Sequence, residues 1–145
     1  MKVLGLDIAT HCGWGVLHHG THVASGCWDL SPSRFEGGGF RFLRMEKQLR
    51  ETIETYKPEV VAFEQFAFQV GHDAAQLYGG YLAIVSKLCE ERQLPYSGVS
   101  TADIKSAAGG NARAGKEELI LAANEKWKLQ LDPKHGKKSP NGPHS

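Results

Sequence analysis

"GLDIATHCGWGVL", residues Gly5–Leu17, decides the fold of this chain. The run Val3-Leu4-Gly5-Leu6 is apolar on successive residues, which suits a central strand buried on both faces. It delivers one carboxylate, Asp7, and after a few small and polar residues a second apolar segment follows, Gly13-Trp14-Gly15-Val16-Leu17. A carboxylate at the end of a buried strand is costly unless it is hydrogen-bonded, paired or bound to a cation. Two readings of Asp7 therefore stand at this point: a turn cap, or a ligand.

Working outward, Met1–Asp7, His11–His18 and His22–Leu30 read as three strands, with His18-His19-Gly20 as a turn between the last two. Such tight connections predict an antiparallel meander. Pro32 and Gly37-Gly38-Gly39 break regular structure. From Phe42, side chains at Met45, Leu49, Ile53 and Tyr56 recur at helical spacing, and the helix ends near Pro58. Glu59–Glu64 is a short apolar strand that ends in a second carboxylate, Glu64. Ala74–Glu91 predicts a second helix, with Leu77, Tyr81, Ile84 and Leu88 on one face. Gly79-Gly80 inside it costs helix stability, which close helix packing would offset. Pro95–Ser100 predicts a fifth strand. Thr101 or Asp103 caps a short helix ending at Gly109-Gly110, and Lys116–Trp127 is another helix.

The order βββαβαβαα predicts an α/β fold: a mixed five-stranded sheet, an antiparallel meander followed by parallel strands, flanked by helices. The first and fourth strands pair in parallel through a right-handed crossover. Asp7 and Glu64 then sit on neighbouring strands. Like charges a few Å apart repel unless one is protonated or a cation lies between them. Hard oxygen ligands suit Mg²⁺ or Mn²⁺.

The bulk numbers set outer bounds. The chain has 145 residues, 41% hydrophobic and 23% charged, with a formal net charge of +1. That is one globular domain with no apolar run long enough to span a membrane, and no secretory leader is visible. The expected compartment is cytoplasmic, of a bacterium or a phage-infected host. Three cysteines without a C-x-x-C pair argue against a disulfide scaffold or structural zinc. His18, His19 and His22 are expected as solvated hairpin residues, with metal binding the lesser alternative. Bulk charge announces no polyanion partner, but Lys126, Lys128, Lys134, Lys137 and Lys138 crowd the C-terminal end. The expected division is a domain over residues 1–128 and a flexible basic tail over 129–145.

These stretches together resemble a known family. "GLDIATHCGWGVL", then "VVAFEQ", then "STADIKSAAGGNARAGKEEL" (Ser100–Leu119) look like the RuvC family of Holliday-junction resolvases, within the ribonuclease H-like superfamily. The resemblance implies a ribonuclease H-like fold, a homodimer that grips branched DNA, and two-metal, Mg²⁺- or Mn²⁺-dependent nicking by water attack, with Asp7 bridging both ions and Glu64 binding one. It implies Asp7 and Glu64 as metal ligands and catalytic acids, and Lys105, Asn111, Arg113 and Lys116 at the DNA. It places a base-stacking aromatic within Glu64–Asp73, with Phe66 and Phe68 both open candidates. The family also carries two further acidic ligands, or a His and an Asp, on a C-terminal helix, and this chain departs from that pattern. It offers only Asp132, His135 and His144. One expectation is that His144-Ser145 opens the missing motif, so that the last helix is cut away and cleavage by this form is weak. The alternative is a diverged site that borrows Asp132 or His135.

Two other classes compete. A DNA-binding module on the same fold, impaired in catalysis, fits the missing acids. Sugar kinases and actin-like ATPases also begin with a strand-Gly-x-Asp-turn-strand unit, but they need a second phosphate loop and a much longer chain.

Overall fold

The computed structural model describes residues 1–65 and 71–100. Within them the chain runs β1 (Lys2–Asp7), β2 (His11–His18), β3 (Thr21–Asp29), α1 (Phe40–Tyr56), β4 (Val60–Glu64), α2 (His72–Glu91) and β5 (Tyr96–Val99). The five strands form one sheet in the order β3-β2-β1-β4-β5. β1 and β2 pair antiparallel, as do β2 and β3, while β1–β4 and β4–β5 are parallel. The expected mixed sheet is therefore present, with the meander first. The helices expected within residues 101–127, and the tail beyond them, lie outside the described residues.

Local chemistry explains the elements. His19 and Gly20 both have positive φ, 53° and 77°, which makes the two-residue turn that suits the twist of a hairpin. The loose alternation in β3 has a specific cause. The register shifts between Val16 and Leu17, which pair with Ala24 and His22. Val23 is the extra residue of a bulge, and it is exposed. α1 begins at Phe40, two residues earlier than its apolar spacing indicates, because Phe40, Arg41 and Phe42 donate their amides to the carbonyls of Gly37, Gly38 and Gly39. It ends at Lys57, whose left-handed backbone (φ 50°) lets its amide reach the Ile53 carbonyl.

The sheet's faces separate by parity. Leu4, Leu6, Val16, Trp28, Val61 and Phe63 point to one face, where Met45, Leu49 and Ile53 of α1 and Tyr81, Val85, Leu88 and Cys89 of α2 complete the main core. Each such side chain contributes about 1.5–3 kcal/mol when fully buried. Trp14 stacks on Trp28 at 5.9 Å and leans on Tyr56 at 5.8 Å. The opposite face carries Val3, Leu17, Val60, Ala62 and Val99, also buried. Buried on both faces, β1 and β4 have the near-continuous apolar sequences expected of central strands.

The helices meet closely at Gly80. A Cβ there would lie 2.5 Å from Phe42 Cε1, whereas one at Gly79 would meet nothing within 4 Å. Close packing thus explains one glycine of the pair. Across the same seam Lys87 bridges Glu46 at 2.9 Å, and Arg92 bridges Glu54 at 2.6 Å. Cys12 and Cys89 are buried and Cys27 is exposed, and none of the three is in a disulfide. Burial pushes the Cys89 thiol up to about 12.

Two measurements test this packing. Gly80→Ala should lower stability by about 1–3 kcal/mol through overpacking against Phe42, while Gly79→Ala should raise it by up to ~1 kcal/mol. Thermal melts of the two variants should move in opposite directions. The hydrogen bond from Lys87 also holds the Glu46 carboxyl below its usual range. A depressed carboxyl contributes stability that is present above its unfolded pKa and is lost as pH falls through the folded one. Glu46→Gln should therefore be less stable than the native chain at neutral pH, and the two should converge as pH falls from the usual carboxyl range of about 4 through the depressed folded value.

Candidate active site

β1 and β4 run in the same direction, and each ends in a carboxylate. The register pairs Val3 with Val60, Leu4 with Val61, Gly5 with Ala62 and Leu6 with Phe63. Continuing it by one residue brings Asp7 level with Glu64, on the face opposite α1 and α2. Neighbouring strands are ~4.8 Å apart, so the two carboxylates stand side by side at the carboxyl end of the sheet. Asp7 is exposed and Glu64 half-buried. The strand interior thus stays apolar and the charges come only at its rim, which avoids the cost of burying them.

Several bonds fix the two strand ends. The Gln65 amide donates to the Val99 carbonyl at 2.9 Å, which extends the β4–β5 ladder past Glu64. The Tyr78 hydroxyl donates to the Glu64 carbonyl at 2.9 Å. Three residues on along α2, the Tyr81 hydroxyl lies 3.1 Å from Thr10 Oγ1 in the loop that follows Asp7. The Leu30 amide holds the Thr10 carbonyl at 2.8 Å. One helix therefore ties down both acid-bearing ends. Sequence reading placed Tyr81 on the packed face but missed this role for Tyr78, Tyr81 and Thr10. The available signal was the Tyr-x-x-Tyr spacing, which puts both hydroxyls on one side of a helix.

On β2, Gly13 lies opposite Asp7 and His11 opposite Asp29. His11 Nδ1 is 3.7 Å from an Asp29 carboxylate oxygen, both side chains being largely exposed. His18, His19 and His22 are exposed in the hairpin. Among the described residues no group of three or more His, Cys, Asp or Glu side chains is arranged to hold a metal ion. Phe66, Phe68, Lys105, Asn111, Arg113, Lys116, Asp132, His135 and His144 lie outside the described residues.

A mixed sheet of this order, with acids level at the ends of its first and fourth strands, defines a protein of the ribonuclease H-like fold. The family model "Crossover junction endodeoxyribonuclease RuvC" matches residues 3–139, and the chain belongs to the RuvC family. It is similar to the crossover junction endodeoxyribonuclease RuvC of Thermomicrobium roseum, 30% identical over 122 residues, 82% of this chain and 74% of that relative. The RuvC of Saccharopolyspora erythraea is 29% identical over 140 residues, 92% of this chain and 69% of the relative. Among solved structures, Thermus thermophilus RuvC superposes with a TM-score of 0.66 at 26% identity, covering 86% of this chain and 79% of that one. The T. thermophilus RuvC in complex with Holliday junction substrate shares the fold at TM-score 0.71 and 21% identity, covering 84% and 91%.

Tyr78→Phe removes one hydrogen bond and no packing volume. It should cost about 1 kcal/mol of stability. If Tyr78 positions Glu64, the variant should also lower kcat for DNA cleavage several-fold while leaving KM near its native value. An unchanged kcat would assign the hydroxyl a structural role alone.

Proposed function

We propose that this chain is a metal-dependent endodeoxyribonuclease that resolves Holliday junctions or related branched DNA. The observation that carries the reading is the level pair Asp7 and Glu64 at the carboxyl ends of adjacent parallel strands. Two carboxylates so close favour a divalent cation between them, and their hard oxygens match Mg²⁺ or Mn²⁺ better than a soft metal. Asp7 and Glu64 would hold it, with further donors proposed from Asp132, His135 and His144. When bound, such an ion supplies Lewis-acid stabilisation of the phosphoryl oxygens and acidifies an attacking water.

The chain's own residues do the rest. Asp7 is accessible, so it can approach a phosphodiester from solvent. Glu64 is less exposed, and its backbone is held by Tyr78 and the β5 ladder, which limits its freedom. In the proposed reaction water attacks phosphorus in line, the bond to the 3′ oxygen breaks, and that oxygen takes up a proton. The products are a 3′ hydroxyl and a 5′ phosphate, with no covalent link to the protein. Lys105, Asn111, Arg113 and Lys116 are proposed at the phosphates, and Phe66 or Phe68 against unpaired bases, where stacking is worth ~1–3 kcal/mol. A four-way junction has two strands to cut, which fits action as a homodimer with one site per protomer. Among the described residues no helix is long and apolar enough to cross a membrane. The cytoplasm is the compartment this reading implies.

The deciding experiment compares cleavage of a four-way junction, a fork and a linear duplex with Mg²⁺ and with chelator. The branched substrates should be cut only with the metal, and a ligase should reseal the nicks. Asp7→Asn and Glu64→Gln should each lose more than about 100-fold in rate, the upper end of what losing even an outer-shell partner costs. Both should still bind the junction, since they remove negative charge. Cleavage by Asp7→Asn at the native rate would overturn the reading. Binding without cutting by the native chain would favour the non-catalytic module.

A further inference from the structure

We propose that the loop between β3 and α1, with the first turns of α1, forms a second DNA-binding surface that takes the backbone of a duplex arm beside the cleavage point. This rests on the nuclease reading above. Phe35 is 85% exposed, Leu43 59% and Phe40 43%, and these are three of the four large hydrophobics that stand out among the described residues. They are interleaved with guanidinium groups. Arg34 lies 4.7 Å over the Phe35 ring, and Arg44 lies 5.8 Å from the Phe40 ring.

The charge balance favours an anionic partner. Glu36 is the loop's one acid, and both its oxygens are taken by Arg44 at 2.7 Å. Arg34 and Arg41 have no carboxylate partner among the described residues. Arg41 instead donates Nε–H to the Gly38 carbonyl at 3.1 Å, which anchors the base of its guanidinium. The first turn of α1 carries no acid and no side-chain cap, so a cation sits where the helix dipole disfavours it. A phosphate there would offset that conflict. Fixed guanidiniums suit phosphate oxygens, and the rings beside them suit the apolar faces of sugars.

Topology supplies the partner. β3 runs parallel to β1, since both are antiparallel to β2. The loop after Asp29 therefore leaves the sheet at the same end as Asp7 and Glu64. β3 is two strands from β1, about 10 Å across the sheet. A duplex is about 20 Å wide and turns once in ~34 Å, so DNA placed at the acids can reach this patch within one helical turn.

The test uses the whole chain and a four-way junction in chelating buffer. Arg34→Ala/Arg41→Ala should bind about tenfold more weakly, and the slope of log K against log salt should become shallower by about 2, one phosphate contact per arginine. The double Lys variant should restore most of the slope, which separates charge from folding. With Mg²⁺ and saturating junction, kcat of the Ala variant should stay within about twofold of native. An unchanged slope and affinity would overturn the proposal. So would a shift of the Ala variant to a smaller oligomer by sedimentation, which would assign the patch to a second copy of the chain. If the native chain binds but does not cut, while the slope still falls with the Ala variant, the patch stands and the nuclease reading fails. If the native chain cuts and the Ala variant binds equally well, the patch alone fails.

Discussion

The parallel pairing of β1 with β4 is the constraint on which the rest depends. It joins the meander to the β-α half of the chain, and it alone sets Asp7 beside Glu64. The register is strongly specified because both strands are buried on two faces. A slip of one residue would exchange Leu4, Leu6, Val61 and Phe63 with Val3, Gly5, Val60 and Ala62, which are smaller. The faces are therefore not interchangeable, and the larger side chains lock the pairing to the side of α1 and α2. The alignment of the two carboxylates is a by-product of core packing several residues away.

α2 turns that alignment into a fixed geometry. It buries Tyr81 in the core and uses its hydroxyl, with that of Tyr78, to hold the loop after β1 and the end of β4. The helix is itself held against α1 by the close approach at Gly80 and by two ion pairs across the seam. Those pairs are partly exposed and contribute little singly. The apolar contact at Phe42 and the shared core carry most of the energy. A disturbance at the α1–α2 seam is thus linked, through one helix, to both acids.

Much of this was legible in the sequence. The period-two and unbroken apolar runs gave all the described strands and their order, and carboxylates ending two such runs singled out Asp7 and Glu64. What escaped has physical causes. α1 and α2 start at Phe40 and His72 because backbone bonds and exposed residues extend a helix beyond its apolar stripe. Val85 and Cys89 lie deeper than Ile84, because a stripe wider than one residue per turn leaves its centre undetermined by spacing alone. Tyr78 and Tyr81 reach the strand ends through hydrogen bonds between elements, and their Tyr-x-x-Tyr spacing shows a shared side of the helix but not which groups the hydroxyls meet. Phe35 lies between loop residues, where apolar patterning carries no information on exposure.

The charge of +1 for the whole chain conceals an arrangement that local geometry reveals. Asp7 and Glu64 by themselves repel a polyanion, so a sheet end that uses them on DNA needs compensating cations. On the proposed reading a divalent ion would neutralise the acids at the scissile phosphate but would act over only a few Å in salt solution, where screening sets in within ~8–10 Å. Attraction along the rest of a duplex has to come from fixed groups placed farther out. Arg34 and Arg41 lie on the loop and first helical turn that follow β3 at that same end of the sheet, and the loop's acid is already committed to Arg44. Glu36 and Arg44 thus cancel each other: Arg44 Nη2 donates to both Glu36 oxygens and Nη1 to the Ser31 carbonyl, which braces the loop and leaves its net charge to the two remaining guanidiniums. On the proposed reading, acids at the sheet end and cations on the loop beside it would hold DNA strongly and still present carboxylates to a single phosphodiester.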